Sequence, residues 1–171
     1  IGIGALGFHA YLQKNGIPYE SAIAGNRNEK IFKHIRSGLD KANSELGTER
    51  GEAPDATGTG RRFSHMLAIA PNASSSIIMG NTSPSIEPYR ANAFTQKTKS
   101  GSSLLKNEYL EHALQELGED SEEVWKSIIT NNGSVQHLDF LDDWTKDVFR
   151  TAVEIDQRWI VEMAADRTPY I

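Results

Sequence analysis

Between Met66 and Arg90 the chain reads MLAIAPNASSSIIMGNTSPSIEPYR, and few local structures accommodate that order of residues. Met66–Ala70 is an apolar run of the length a buried strand takes. Pro71 ends it, because proline fixes φ and removes a backbone donor. Asn72, Ser74, Ser75 and Ser76 follow, small polar residues of the kind that cap helices. Ile77, Ile78 and Met79 continue a helix, and Gly80-Asn81 supply a C-terminal stop. The stretch therefore predicts strand, tight turn and short helix over about 66–80. The first N–H groups of a helix lack partners, and its dipole is positive there, so the turn is a candidate phosphate-binding site. A plain capped helix following a strand is the alternative reading of the same residues.

At 171 residues the chain can form one domain with a real core. A net charge of -5 argues against a general binder of nucleic acid or anionic membrane. No apolar run reaches the roughly 20 residues of a membrane span. There is no cysteine, so disulfides, thiolate metal sites and thiol chemistry are excluded within this chain. The chain opens at Ile1 in the middle of an apolar pattern and stops at Ile171 just after a predicted helix. Those ends suggest a part of a longer polypeptide, and no linker divides residues 1–171 into two domains.

In residues 2–15, Ile3, Leu6, Ala10 and Tyr11 share one helical face, which predicts a helix stopped by Gly16. Gly2, Gly4 and Gly7 spell G-x-G-x-x-G, but no strand precedes Gly2 as a dinucleotide site requires. Small residues that permit close packing are the simpler reading. Pro18, Gly25 and Asn26 mark a connection. Ile31, Ile35, Leu39, Ala42 and Leu46 recur at helical spacing and predict a helix over 28–46, ended by Gly47, with His34 and Lys41 on its wetter sides. Residues 48–60 read as a loop. Arg61 and Arg62 are either anion donors or an ordinary solvated pair, and His65 is a packing or hydrogen-bonded residue.

Ala91–Ser100 alternates loosely and suits a strand, with Gly101-Ser102-Ser103 as its turn. A short helix follows around Tyr109–Leu117, ending at Gly118. Another is capped by Ser121 and stopped at Asn131-Asn132-Gly133. Residues 134–143 form a loop. Trp144, Val148, Ala152, Ile155, Trp159 and Met163 form one stripe, which predicts a single long helix over 144–165 and tryptophans in the core.

The loop APNASSSIIMGNTSPSIEPY resembles the substrate-diphosphate loop of the large subunit of class I ribonucleotide reductases. Gly60–Pro71, GRRFSHMLAIAP, resembles the signature leading into that loop. It departs at Arg61, where an aliphatic residue is usual, and at Phe63, where Asn or His is usual. The Ile1-Gly2-Ile3-Gly4 start, Asn132–Gln136 and Ala164-Ala165-Asp166-Arg167 resemble further segments of the same catalytic barrel, so the likeness spans nearly the whole chain. It implies an α/β fold: part of a ten-stranded α/β barrel, its C-terminal portion, here mostly helical with a few strands.

The resemblance implies that Pro71, Asn72, Ala73, Ser74 and Ser75 contact the diphosphate of a ribonucleoside diphosphate, with Ser76 carrying the turn into the helix. Glu87 becomes a structural residue near the loop, and Arg90 a partner for it or for phosphate. The family's thiyl-radical chemistry needs cysteines that this chain lacks, so no catalytic residue falls within it and the chain alone is expected to be inactive. The implied partners are the remainder of the large subunit, a small subunit holding a di-iron tyrosyl radical, and a thioredoxin- or glutaredoxin-like reductant. ATP and dNTP effectors would bind elsewhere in the large subunit, in a cytoplasmic enzyme of deoxyribonucleotide biosynthesis. No metal, nucleic acid or membrane partner is expected for this chain. A non-enzymatic helical module that binds phosphorylated ligands is the competing reading.

Overall fold

A computed structural model describes every residue except Ser100, and Thr98 by its backbone alone. The helices are α1 (Phe8–Lys14), α2 (Ala22–Arg50), α3 (Ala73–Ile78), α4 (Glu108–Leu117), α5 (Glu122–Thr130), α6 (Asp143–Val148) and α7 (Gln157–Arg167). Strands β1 (Ala93–Thr98) and β2 (Gly101–Lys106) pair antiparallel, in a register running from Ala93 opposite Lys106 to Thr98 opposite Gly101. Single 3₁₀ turns occupy Pro54–Ala56 and Thr168–Tyr170.

Two apolar clusters hold these elements. Phe8, Leu12, Ile17 and Tyr19 pack with Ala24 of α2 and with Ile155 and Met163 at α7. Leu110 and Leu114 of α4 pack with Trp125 and Ile128 of α5, Val135, Leu138 and Leu141 of the following loop, and Val148 and Phe149. Polar side chains stitch the two together. Asn107 Nδ2 donates to Gln13 Oε1 (2.8 Å) and Asn92 Oδ1 (2.9 Å). Asn92 Nδ2 donates to the Gly133 and Phe149 carbonyls, and Gln13 Nε2 to the Val148 carbonyl. All three side chains are buried, so each bond replaces water that cannot reach them.

Four expectations give way here. The helix over 2–15 begins only at Phe8. Residues 1–5 are extended, and Ile3 forms a parallel bridge with Leu67 through Ile3 N–H to Met66 O (2.8 Å) and Ala68 N–H to Ile3 O (3.1 Å). Glycine is a poor helix former, and here its missing side chain is used for contact: a Cβ at Gly4 would lie 2.5 Å from the Ala68 carbonyl oxygen. Close packing through small residues therefore occurs, but between extended segments.

The helix over 28–46 runs from Ala22 to Arg50, capped by Ser21 Oγ, which accepts the Ala24 N–H (3.1 Å). Gly25 and Asn26 lie inside it, so they mark no connection. Gly47 does not end it either. A Cβ there would sit 2.1 Å from the Gly60 carbonyl oxygen, so this glycine admits the returning chain, and Gly51 (φ 81°) makes the stop. The fully buried seam is Ala24, Asn28, Phe32, Asn43 and Gly47, displaced from the aliphatic stripe, whose Ile31, Ile35, Leu39 and Leu46 are half-buried. Its polar members are satisfied locally. Asn43 Nδ2 donates to the Phe63 carbonyl and its Oδ1 accepts the Phe63 N–H. Asn28 donates to the Met163 carbonyl and accepts from Arg167 Nε (2.9 Å).

Gly101-Ser102-Ser103 is strand rather than turn, opening β2. GSSLLK carries no apolar alternation, so only its partner β1 reveals it as a strand. The helix over 144–165 is two helices, α6 and α7. Between them the Ala152 N–H goes to the Tyr89 carbonyl (2.7 Å), and Glu154 accepts from the Thr151 N–H and hydroxyl and from Ser134 Oγ. Asp156 then caps α7 by accepting the Arg158 N–H. Of the tryptophans, Trp125 is buried, Trp159 half-buried and Trp144 is 54% exposed, its indole donating to the Gly16 carbonyl.

Candidate functional site

The turn after Ala70 is built by the residues that flank it. The buried strand expected over Met66–Ala70 does not form. Leu67 makes a single isolated bridge to Ile3, and Ala68 and Ala70 are exposed, because only residues 1–5 lie alongside and no ladder continues. Asn72 takes the left-handed conformation (φ 56°), which asparagine tolerates better than most residues. Its Nδ2 donates to the Ala5 carbonyl (3.3 Å). α3 follows at once, and the Ser76 N–H returns to the Asn72 carbonyl (2.9 Å).

The six residues expected at the site occupy different situations. Pro71, Ala73, Ser74 and Ser75 are exposed, Asn72 is half-buried and Ser76 is buried. Among the described residues, the N–H groups of Ala73, Ser74 and Ser75 have no acceptor, and the Ser74 and Ser75 hydroxyls make no hydrogen bond. These are the unpaired donors that a helix start leaves. The Ser76 hydroxyl is spent within the helix, on the Ala73 carbonyl (2.7 Å). Asn72 likewise uses its amide on Ala5, so its side chain shapes the turn.

The residues beyond α3 lock the other limb. Thr82 N–H donates to the Ser76 carbonyl. Ser83 accepts twice from the start of α1, through its carbonyl from Gly7 N–H (2.9 Å) and through its hydroxyl from Ala10 N–H (3.1 Å). Phe8 N–H goes to the Ser85 carbonyl (3.2 Å), and Tyr19 donates its hydroxyl proton to the Ile86 carbonyl (3.0 Å). Gly7 is needed here: at φ 80°, a Cβ would also meet Thr82 Oγ1 at 2.7 Å. Glu87 and Arg90 are exposed. Arg61 is exposed, and Arg62 is held at the end of α2, its N–H donating to the Asn43 carbonyl (3.3 Å) and its Nη1 to the Gly51 carbonyl (3.4 Å), so the solvated-pair reading fits them better than anion donation at the turn.

Sequence reasoning overlooked His9, Tyr19 and Ser83, which fix the downstream limb. They carried no periodic signal, because they sit at element ends where side chains bond to backbone. Two open grooves lie away from the turn. One of about 500 Å³ runs between α1, α4 and α6 past Tyr109, His112 and Trp144. The other, of about 570 Å³, lies beside Leu104, Lys106 and Trp125. No group of three or more His, Cys, Asp or Glu side chains among the described residues could hold a metal ion, and no helix is long and apolar enough to cross a membrane.

The sequence matches the family described as "Ribonucleotide reductase, barrel domain" over residues 1–58 and 54–171, two segments that meet in the Gly51–Gly60 turn. It is 57% identical over its full length to the ribonucleoside-diphosphate reductase large subunit of Invertebrate iridescent virus 3, and 53% identical to that of Invertebrate iridescent virus 6. It spans 28% and 18% of those two proteins. A solved structure of the Actinobacillus ureae class Id ribonucleotide reductase alpha subunit superimposes with a TM-score of 0.91 at 44% identity, over 99% of this chain and 31% of that one. With the helices and antiparallel strand pair described, the exposed turn and helix start after Ala70, and a family match along the entire sequence, the chain belongs to the ribonucleotide reductase barrel-domain family.

Proposed function

We propose that this chain supplies the substrate-diphosphate turn of a ribonucleoside-diphosphate reductase large subunit. The N–H groups of Ala73, Ser74 and Ser75 and the hydroxyls of Ser74 and Ser75 donate to the diphosphate oxygens. Pro71 fixes the entry of the turn, Asn72 sets its left-handed corner, and Ser76 completes the first turn of α3. The observation that carries this reading is the coincidence of two facts. The turn lies within a full-length family match, and its donors are exposed and unpaired. Oriented donors that need no rearrangement hold an anion well, because their ordering is already part of the fold.

The chemistry would be reduction at the ribose 2′ position, with the cysteines for radical transfer and reducing electrons provided by other parts of the large subunit. This chain contains none. A thioredoxin- or glutaredoxin-like reductant and a radical-generating small subunit with a di-iron centre complete the system. The role of this chain is binding and orientation. Replacing Ser74 with Trp in the complete large subunit tests it: the KM for nucleoside diphosphate rises at least about tenfold, as expected when charge-assisted bonds are lost and the anion is crowded. An unchanged KM refutes the assignment.

A further inference from the structure

His9 is fully buried and has no task in the reading above. Its Nδ1 accepts the Tyr89 N–H (2.9 Å), and its ring packs edge-on to Tyr19 at 5.4 Å and tilted to Tyr89 at 5.7 Å. Burial pushes its pKa down to about 3, against a weaker opposing effect from the nearby Val148 carbonyl. That carbonyl lies outside hydrogen-bond geometry, so Nε2 has no partner. The imidazole is therefore neutral throughout the physiological range, with its proton on Nε2, and acts as a fixed acceptor.

What it accepts from is one end of the limb that closes the turn. Residues 82–89 are bonded along their length to residues 7–19: Ser83 to Gly7 and Ala10, Ser85 to Phe8, Ile86 to Tyr19 and Tyr89 to His9. Ser85 sits at φ 48°, a conformation a serine keeps only when its surroundings enforce it. The other end of the limb is joined to α3 through Thr82 N–H to Ser76 O and Asn81 N–H to Ile77 O. The entry limb is held by the same N-terminal segment, through Ile3 and Ala5.

We infer that His9 is a positioning residue for the turn: its acceptor nitrogen anchors Tyr89, and through residues 82–89 it sets where α3 presents the Ala73, Ser74 and Ser75 donors. The inference rests on the diphosphate reading, and it assigns His9 no contact with substrate. In the complete large subunit, His9→Leu keeps an apolar side chain but removes the acceptor. It should raise the KM for nucleoside diphosphate about tenfold while kcat stays within about twofold, since binding geometry is disturbed and the reacting groups lie elsewhere. His9→Asn, whose Oδ1 can accept in place of Nδ1, should return KM to within about threefold of the parent. Tyr19→Phe, which removes the bond to Ile86, should raise KM in the same direction and decides the matter if His9→Leu does not fold. An unchanged KM in His9→Leu, an Asn variant as defective as Leu, or a parental KM in Tyr19→Phe would each overturn the proposal. If Ser74→Trp raises KM while the His9 and Tyr19 variants do not, only the positioning role fails. If none of them does, the diphosphate reading fails with it.

Discussion

Asn107 and Ser121 both begin helices with a side-chain oxygen, and comparing their alanine variants separates a cap from a network. Ser121 Oγ accepts the Val124 N–H at 3.3 Å, and nothing else depends on it among the described residues. Asn107 Oδ1 accepts the Tyr109 N–H at 3.1 Å, an equivalent cap. Removing either cap costs about 1 kcal/mol. Asn107 also donates to Gln13 Oε1 and Asn92 Oδ1, joining α1 to β1 at a site where all three residues are buried. Asn107→Ala would leave those two oxygens without a donor, and a buried unsatisfied group costs about 1–3 kcal/mol.

The expected totals are therefore about 1 kcal/mol for Ser121→Ala and about 3–7 kcal/mol for Asn107→Ala. The second is a large share of the roughly 5–15 kcal/mol that holds a typical domain together. Urea unfolding followed by circular dichroism and by tryptophan fluorescence measures both, with m-values compared to check that the unfolded states match. A double-mutant cycle with Asn92→Ala should show coupling of more than about 0.5 kcal/mol. If Asn107→Ala costs no more than Ser121→Ala, the buried amides re-pair or are hydrated, and the argument that they tie the two clusters together is refuted.

Gly133 (φ 83°) and Gly118 (φ 74°) share a left-handed backbone, but a Cβ at Gly133 would sit 2.3 Å from Ala91 Cβ while Gly118 faces open space. Gly118→Ala should cost about 1 kcal/mol for the conformation alone, and Gly133→Ala at least about 2 kcal/mol more because backbone must shift; equal losses in thermal or urea melts would exclude the contact. Glu52 accepts the Gly58 and Gly60 N–H groups, which hold its carboxyl below the usual glutamate range. Its contribution to the Gly51–Gly60 turn is thus present above the unfolded-state pKa and is lost as pH falls through the lowered folded value. The amide shifts of Gly58 and Gly60 should report a titration below that of an ordinary glutamate, absent in Glu52→Gln, and a midpoint at or above the ordinary value contradicts the assignment.

What could be read in the sequence was local chemistry. Ser121 before its helix and Gly118 after the previous one are visible because caps and stops depend on neighbouring backbone only. Pro71–Ile78 was legible for the same reason, as proline, asparagine and a serine run specify a turn and a helix start without help from elsewhere, whereas the apolar run Met66–Ala70 reads as a strand but makes only the one bridge at Leu67. The candidate diphosphate site falls wholly within Pro71–Ile78, so its location follows from residue order joined to the family likeness.

The tertiary structure decided wherever a distant backbone competed with a local pattern. The stripe from Trp144 to Met163 is helical in spacing, yet it breaks because Ala152 N–H reaches Tyr89 and Glu154 folds back onto Thr151. Residues 1–5 keep an extended form because Leu67 lies alongside them, and Gly47 stays helical because Gly60 needs its empty flank. His9 gained its role in the same way, from an amide 80 positions away. Periodicity and capping describe energies between near neighbours in the chain, and so the sequence by itself determined the turn, the cap at Ser121, the stop at Gly118 and most helices. Partners brought together from far along the chain could be named only once the fold had placed them.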